Sequence, residues 1–269
     1  MTTRAAPHLP AGPARATAGA GFRQSLALAW RSLIQLRNNP WELADYSIQP
    51  VMFVLLFTFV FGGAIAGSSD GYLDYALPGV IVMNMLFVTL YVGMGLNEDL
   101  TQGFFDRLRS MPLAAWAPLA GRILADTVKQ AWSIVLLLGI GFLLGFRVQS
   151  SVFHVLAAVG LILVAALAFS WVTILIGLLA TSPTQTQLYG YSIIFPIAFV
   201  SSVFVPADTM PDWLQPIAEG NPVSTLTDAV RGLLSGAPFV DDALASLIAA
   251  LAITVVAVPI CLTILRRTT

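Results

Sequence analysis

The chain has 269 residues, of which 57% are hydrophobic and only 10% are charged, and its formal net charge is -1. A soluble domain normally carries about 25% charged residues, so this composition excludes an ordinary soluble protein and indicates a membrane protein. The sequence has no cluster of basic and aromatic residues of the kind that binds nucleic acid, so no nucleic-acid partner is expected.

The N-terminal segment is rich in Ala, Pro and Gly and has no apolar run. A signal peptide would need an uninterrupted hydrophobic region there. We therefore predict that residues 1–20 form a disordered cytoplasmic tail.

The next segment, 21–46, begins with an amphipathic pattern. Its apolar residues share one face of a helix, and its charged residues lie on other faces. Such a helix lies in the membrane surface, with its aromatic and aliphatic side chains in the acyl boundary and its arginines near the lipid phosphates. The alternative is an ordinary surface helix that packs on protein. The residues concerned are Phe22, Leu26, Trp30 and Leu33 on the apolar face, with Arg31 and Arg37 as the charged residues.

The rest of the chain, 47–269, contains long apolar blocks. A bilayer-spanning helix needs about 20 apolar residues, and six blocks qualify. Helices are required because lipid offers the backbone no hydrogen-bond partner, and the blocks lack the alternation of a barrel strand. The predicted fold class is therefore an all-α membrane protein with six transmembrane helices, at about 47–67, 75–96, 126–146, 152–180, 188–205 and 243–265.

The distribution of basic residues predicts the orientation, because basic residues are retained on the cytoplasmic side. All but two of the thirteen Lys and Arg lie before the first span, in or beside the connection between the second and third spans, or after the last span. The two exceptions, Arg147 and Arg231, are predicted to lie on the opposite side, where the acidic residues of the other connections are also placed. Both termini are then cytoplasmic, and the abundance of Ala, Gly and Pro with a single Lys is typical of a bacterium, so we expect a bacterial cytoplasmic membrane.

The longest cytoplasmic connection, 97–125, contains the segment GFFDRLRSMPL. Its apolar residues recur at helical spacing between charged ones, which predicts a short helix that inserts into a groove on another protein. The alternative is a solvated loop made helical by its charges. The apolar positions are Phe104, Leu108 and Met111, the charged ones Asp106, Arg107 and Arg109, and Pro112 ends the helix.

The chain carries no recognisable catalytic or metal-binding motif. The middles of the predicted spans contain no ionisable residue of the kind that couples transport to an ion gradient. Asp126 and Lys129 are three residues apart at the start of the third span and are expected to pair. Lys129, the only lysine, does not lie in a Gly-rich phosphate loop, so ATP hydrolysis must occur elsewhere. We predict no catalytic residue and no metal site on this chain.

Polar and aromatic residues of two spans are candidates for a substrate path. The alternative is that the polar ones form hydrogen bonds between helices, and that the aromatic ones contact the core or lipid. The candidates are Asn84, Thr89 and Tyr91 in the second span and Tyr189, Tyr191, Phe195 and Phe199 in the fifth.

The segment NEDLTQGFFDRLRSMPLAAWAPLAGRILAD resembles the intracellular loop of ABC-2 type transporter permeases of the daunorubicin-resistance type. RNNPWEL before the first span is similar to the family's Arg-Asn-Pro signal, with one extra Asn, and MPDWLQPIAEGNPVSTLTDAVRGLLSG is similar to the segment before the last span. The matching loop positions are Glu98, Asp99, Gly103, Asp106, Arg107, Leu108, Arg109, Ser110, Pro112, Gly121 and Arg122.

The resemblance implies an export permease for an amphipathic drug, lipid or secondary metabolite. The residues from Glu98 to Pro112 would couple it to a separate P-loop ATPase, present in two copies, which would hold the ATP and Mg; this chain would carry no cofactor. A second permease copy or a related permease would complete the transporter, and 206–236 would form short re-entrant helices. The alternatives are a self-contained facilitator or channel, or a membrane-embedded lipid-modifying enzyme.

Overall fold

The computed structural model describes residues 23–27, 29–30, 34, 40–61, 69–103 and 117–268, and every regular element within them is helical. The all-α prediction is therefore confirmed. Numbered from Pro40, the helices are α1 (Pro40–Leu55, continued by the π-helix Leu56–Phe61), α2 (Ser69–Thr101), α3 (Ala117–Leu144), α4 (Val152–Leu179), α5 (Pro183–Phe199), α6 (Gln215–Glu219), α7 (Pro222–Ser235) and α8 (Val240–Thr268).

Four helices of the described chain are long and apolar enough to cross a membrane. They are Tyr72–Thr101, Gly121–Leu144, Val152–Leu179 and Val240–Ile264, which lie in α2, α3, α4 and α8. The other two predicted spans correspond to shorter helices: the apolar stretch Ser47–Val60 and the 17-residue α5. The described residues thus support a helical membrane protein with four helices of sufficient length and apolarity to span, whereas the count of six spans remains a prediction.

Helix α2 forms the centre of the bundle. In its most apolar window 83% of the residues are buried, against 17% in the corresponding window of α8. It packs against α1, α3, α4, α5 and α7, and its most extensive partner is α4. The outer helices therefore expose apolar side chains to lipid, while α2 contacts mainly protein.

Glycines permit the close approach of α2 and α4. A Cβ atom added to Gly93 would clash with the backbone carbonyl of Thr173, and one added to Gly177 would clash with the carbonyl of Gly93. Small residues at helix crossings are the usual means of tight packing in membranes, where dispersion contacts replace the hydrophobic effect.

Two segments differ from their predicted limits. The connection predicted for 97–125 is shorter, because Asn97–Thr101 continue α2 and α3 already begins at Ala117. The fifth span, predicted for 188–205, begins earlier, at Pro183, where the Ser182 hydroxyl accepts a hydrogen bond from the Gln185 amide. It ends at Phe199, because the Asn221 side chain binds the last carbonyls of α5.

The segment 206–236 contains the two short helices α6 and α7. Helix α7 is strongly amphipathic: Leu226, Val230 and Leu233 are buried against α2, α4 and α8. It begins at the cap residue Asn221 and ends at Gly236, whose φ of 78° is left-handed and suits glycine. Helix α7 therefore packs on the bundle and is not a free loop.

Candidate functional site

An ion-pair network joins the helix ends on either side of residues 104–116. Asp99, near the end of α2, pairs with Arg122 near the start of α3. Arg122 Nε lies 4.0 Å from Asp126 Oδ2, and Lys129 Nζ lies 3.6 Å from Asp126 Oδ1. Acidic and basic groups alternate through this Asp99–Arg122 network, so their charges balance, as partly buried charges require. The predicted pairing of Asp126 with Lys129 is confirmed.

The chain leaves α2 in a left-handed turn. Gly103 has a φ of 66°, a conformation that strains residues with a side chain. Glu98 is exposed, and its Oε1 accepts a hydrogen bond of 3.0 Å from Gln102 Nε2. Of the predicted coupling residues, Glu98, Asp99 and Gly103 therefore lie at the end of α2, whereas those from Phe104 to Pro112 lie outside the described residues.

Asn97 ties the same end of α2 to α4. Its Nδ2 donates hydrogen bonds to the carbonyls of Gly177, at 2.9 Å, and Ala180, at 2.7 Å. Carbonyls at a helix C-terminus lack partners within the helix, so this buried amide caps α4. The end of α2 is thus held to α3 by charge and to α4 by hydrogen bonds.

The candidate path residues of α2 take part in helix contacts. Asn84 Nδ2 donates to Ser133 Oγ of α3 at 2.8 Å, and the Thr89 carbonyl accepts from Thr173 Oγ1 of α4 at 2.7 Å. Asn84 and Thr89 are both buried, whereas Tyr91 is half-buried. This arrangement agrees with the alternative that such polar groups join helices.

The candidate residues of α5 form an aromatic row on the side of the bundle. The Tyr191 and Phe195 rings lie 5.6 Å apart, those of Phe195 and Phe199 lie 5.8 Å apart, and Phe87 of α2 contacts the row 5.3 Å from Phe195. Phe195 is 43% exposed and Phe199 is 54% exposed. Tyr189 is also exposed, so α5 presents an aromatic surface outside the core.

A second polar cluster lies at the opposite end of α2, and we call it the Arg231 network. The Arg231 guanidinium stacks on the Tyr75 ring, 3.8 Å from its centroid, and donates to the Ser202 carbonyl at 3.1 Å. It also pairs with Asp228, whose carboxylate accepts from Ser202 Oγ at 2.9 Å. Burial raises the pKa of Asp228, although the Arg231 charge and the Ser202 hydrogen bond act in the opposite direction.

The sequence did not predict the Arg231 network. Asp228 and Arg231 lie in the segment MPDWLQPIAEGNPVSTLTDAVRGLLSG, which resembles the family, and their three-residue spacing suits a pair on one helix face. The contact with Tyr75 joins residues 156 positions apart, which no local pattern encodes.

The described helical residues at 23–27, 29–30 and 34 include part of the predicted interface helix. Leu26 and Trp30 expose 47% and 66% of their surface, while Ser25 and Ala29 are buried. Leu26 and Trp30 are thus not covered by the described part of the chain, and the position of this helix at the membrane surface remains a prediction. Phe22, Arg31, Leu33 and Arg37 lie outside the described residues.

The described residues contain no group of three or more His, Cys, Asp or Glu that could hold a metal ion.

Apolar helices around a buried central helix, with polar networks at both ends, define a helical integral membrane protein. The ABC-2 type transporter family model matches residues 23–235, and the chain belongs to this family.

Curated relatives agree with this assignment. The chain is 36% identical over 224 residues to the daunorubicin resistance ABC transporter permease protein DrrB1 of Streptomyces coeruleorubidus, covering 83% of this chain and 78% of the relative. It is 25% identical over 225 residues to the probable doxorubicin resistance ABC transporter permease protein DrrC of Mycobacterium tuberculosis (strain ATCC 25618 / H37Rv), covering 82% and 81%. It is 27% identical over 222 residues to the putative transport permease ycf38 of Cyanophora paradoxa, covering 80% and 75%.

This protein is therefore the permease subunit of an ABC exporter, and its ATP-binding partner is a separate subunit that hydrolyses ATP. Membership in this family explains two features together: the chain has long apolar helices, and its sequence has no phosphate-loop motif.

Proposed function

We propose that the permease exports an amphipathic drug, lipid or secondary metabolite from the cytoplasm or the inner leaflet. The names of the relatives support daunorubicin and doxorubicin as the first compounds to test. The exposed aromatic row of α5 supports a flat, lipophilic substrate, because aromatic rings stack on planar molecules.

In the proposed assembly, six spans place both termini in the bacterial cytoplasm. The predicted spans at 47–67 and 188–205 are the first and the fifth of the six. Two permease chains, identical or related, sit over two ATPase subunits, and α6 and α7 form the re-entrant segment on the outer side. The distribution of Lys and Arg supports this orientation.

For coupling, Phe104, Leu108 and Met111 dock on the ATPase, Arg107 and Arg109 guide the docking, and the N-terminal helix contacts the ATPase from the side. The observation that carries this proposal is the Asp99–Arg122 ion pair, because it joins the two helices that bound the docking segment. A movement of that segment would then reach α2 and α3 together.

The test is to co-purify the permease with its P-loop ATPase and to reconstitute both in vesicles. Leu108→Asp with Met111→Asp should abolish ATP-dependent doxorubicin transport and reduce ATPase binding, while membrane insertion is unchanged. Thr209→Asp is a control that should leave ATPase binding intact, because Thr209 is exposed in the connection between α5 and α6 and its hydroxyl bonds only the nearby Pro206 carbonyl. Normal transport by the double variant would refute the docking role.

A further inference from the structure

A small cavity lies between α2, α3 and α4, near the middle of these helices. It has a volume of about 10 Å³, which is room for one water molecule or one polar group of similar size. Its lining includes Thr89 of α2, Thr127 and Gln130 of α3, and Leu167 and Ser170 of α4. Since Leu167 is exposed and Thr127 is half-buried, the cavity lies just beneath the surface between α3 and α4.

Gln130 is the unusual residue of this cavity. It is only 2% exposed, and neither atom of its side-chain amide has a hydrogen-bond partner among the described residues. An amide buried without partners in an apolar bundle is strongly unfavourable, because neither the protein nor the lipid replaces its hydrogen bonds to water. The Gln130 amide therefore requires a ligand that both donates and accepts.

The hydroxyls around Gln130 restrict the chemistry of that ligand. Thr89 Oγ1 donates to the Leu86 carbonyl at 2.6 Å, Thr127 Oγ1 to the Ile123 carbonyl at 2.8 Å, and Ser170 Oγ to the Ala166 carbonyl at 2.7 Å. A hydroxyl has one hydrogen, so each of these groups can only accept a further bond.

We propose that this cavity binds a small group that both donates and accepts, namely water, an alcohol or a neutral amine. One hydrogen of this group donates to Gln130 Oε1, a second hydrogen, where present, donates to a neighbouring hydroxyl, and its lone pair accepts from Gln130 Nε2. A carboxylate or an ether lacks the required hydrogen and does not fit. The group comes either from a water molecule or from the polar end of an amphipathic molecule that enters between α3 and α4 from the membrane; the second source rests on the proposed export function.

The first measurement compares variants of the full-length permease, purified with its ATPase in lipid nanodiscs, by thermal unfolding. Gln130→Leu removes the amide and should lower Tm by about 3 °C if a bound donor satisfies it. Leu137→Met, an equally buried volume-conserving change on α3, should leave Tm unchanged. A Tm equal to or above the wild-type value in Gln130→Leu would overturn the proposal, because removing an unsatisfied amide stabilises a protein.

Thr127→Val provides an independent test if Gln130→Leu does not fold. It removes one acceptor from a half-buried position and keeps the shape of the side chain, but it also removes the bond to the Ile123 carbonyl. Thr254→Val on α8 is the control, because the half-buried Thr254 hydroxyl makes the same kind of bond to the Ala250 carbonyl. A bound donor predicts a larger fall in Tm for Thr127→Val than for Thr254→Val, and equal falls would overturn the proposal.

A second measurement distinguishes the two sources. Nanodiscs are doped with monooleoylglycerol, which carries hydroxyl donors, or with methyl oleate, which carries none. An amphipathic ligand predicts that monooleoylglycerol alone raises the wild-type Tm and that Gln130→Leu abolishes this effect. Bound water predicts no difference between the two additives, with Gln130→Leu still less stable than the wild type. ATPase binding is measured on the same samples, and export is measured in vesicles of the same lipid composition. A permease that does not export can therefore be distinguished from a cavity that binds no donor.

Discussion

The guanidinium of Arg231 lies over the Tyr75 ring, and its Nε and Nη2 atoms donate to the Tyr75 carbonyl at 3.3 Å. One side chain of α7 thereby contacts both the ring and the backbone of a residue near the start of α2. This contact fixes the short helix α7 on the central helix of the bundle.

Arg231→Lys should destabilise the permease by about 1–2 kcal/mol, because lysine keeps the charge but loses the planar stack and the multiple donors. Thermal unfolding in detergent measures the effect. Arg147→Lys is the matched control, since Arg147 is exposed and makes only long hydrogen bonds, of 3.3 Å and 3.4 Å, to nearby carbonyls. Equal Tm values for Arg231→Lys and the wild type would show that the stack contributes nothing.

Asp99→Asn should reduce the amount of substrate transported per ATP hydrolysed, because it removes the charge that connects α2 to α3. Exchanging the charges, with Asp99→Arg and Arg122→Asp together, should restore only part of the coupling, since the carboxylate introduced on α3 would face the carboxylate of Asp126. The amount of substrate transported and the amount of ATP hydrolysed are both measured in vesicles that contain the ATPase. Full coupling in Asp99→Asn would contradict the proposed role of the Asp99–Arg122 network.

Gly177→Ala should destabilise the bundle by about 1–3 kcal/mol, because the added methyl group meets the backbone of Gly93 and forces α2 and α4 apart. Gly160→Ala on the same helix is the control: a Cβ there meets nothing within 4 Å, so stability should be unchanged or slightly higher. The stability of both variants is measured by the yield of folded, monodisperse protein and by its Tm. Similar values for the two variants would argue against a tight crossing at Gly93 and Gly177.

Asn97→Ala should cost about 1–3 kcal/mol, because it leaves the carbonyls of Gly177 and Ala180 without their buried donor. Gln102→Ala, at an exposed residue just beyond the end of α2, should change Tm little. Hydrogen exchange of the last turn of α4 gives a local readout, since loss of the cap should increase exchange there first. Unchanged exchange would indicate that the α4 terminus does not depend on Asn97.

The apolar blocks predicted the helical class because length and hydropathy are local properties of the sequence. They did not predict that α2 is the buried centre, since a side chain that contacts lipid and one that contacts protein are equally apolar. Leu86 and Leu188 are both leucines in predicted spans, yet the first is buried and the second is 62% exposed.

In the candidate sites, too, the sequence predicts contacts within one helix but not contacts between helices. The pair Asp126 and Lys129 was predictable because three residues along a helix bring two side chains to one face. The bond from Asn84 to Ser133 depends on how two helices cross, and so does the position of Gln130 in its cavity. Thr127, Gln130, Ser133 and Ser170 did not stand out in the sequence, since an isolated uncharged polar residue gives little signal within an apolar span.

The buried position of α2 has a consequence for biosynthesis. The chain enters the membrane from its N-terminus, so α2 is in lipid before α3, α4, α5 and α7 have been translated. During that interval Asn84 lacks Ser133, which lies 49 residues later, and the Thr89 carbonyl lacks the Thr173 hydroxyl, 84 residues later. The newly made helix must therefore be apolar enough on every side to tolerate lipid, although 83% of the residues in its most apolar window are buried by protein after folding.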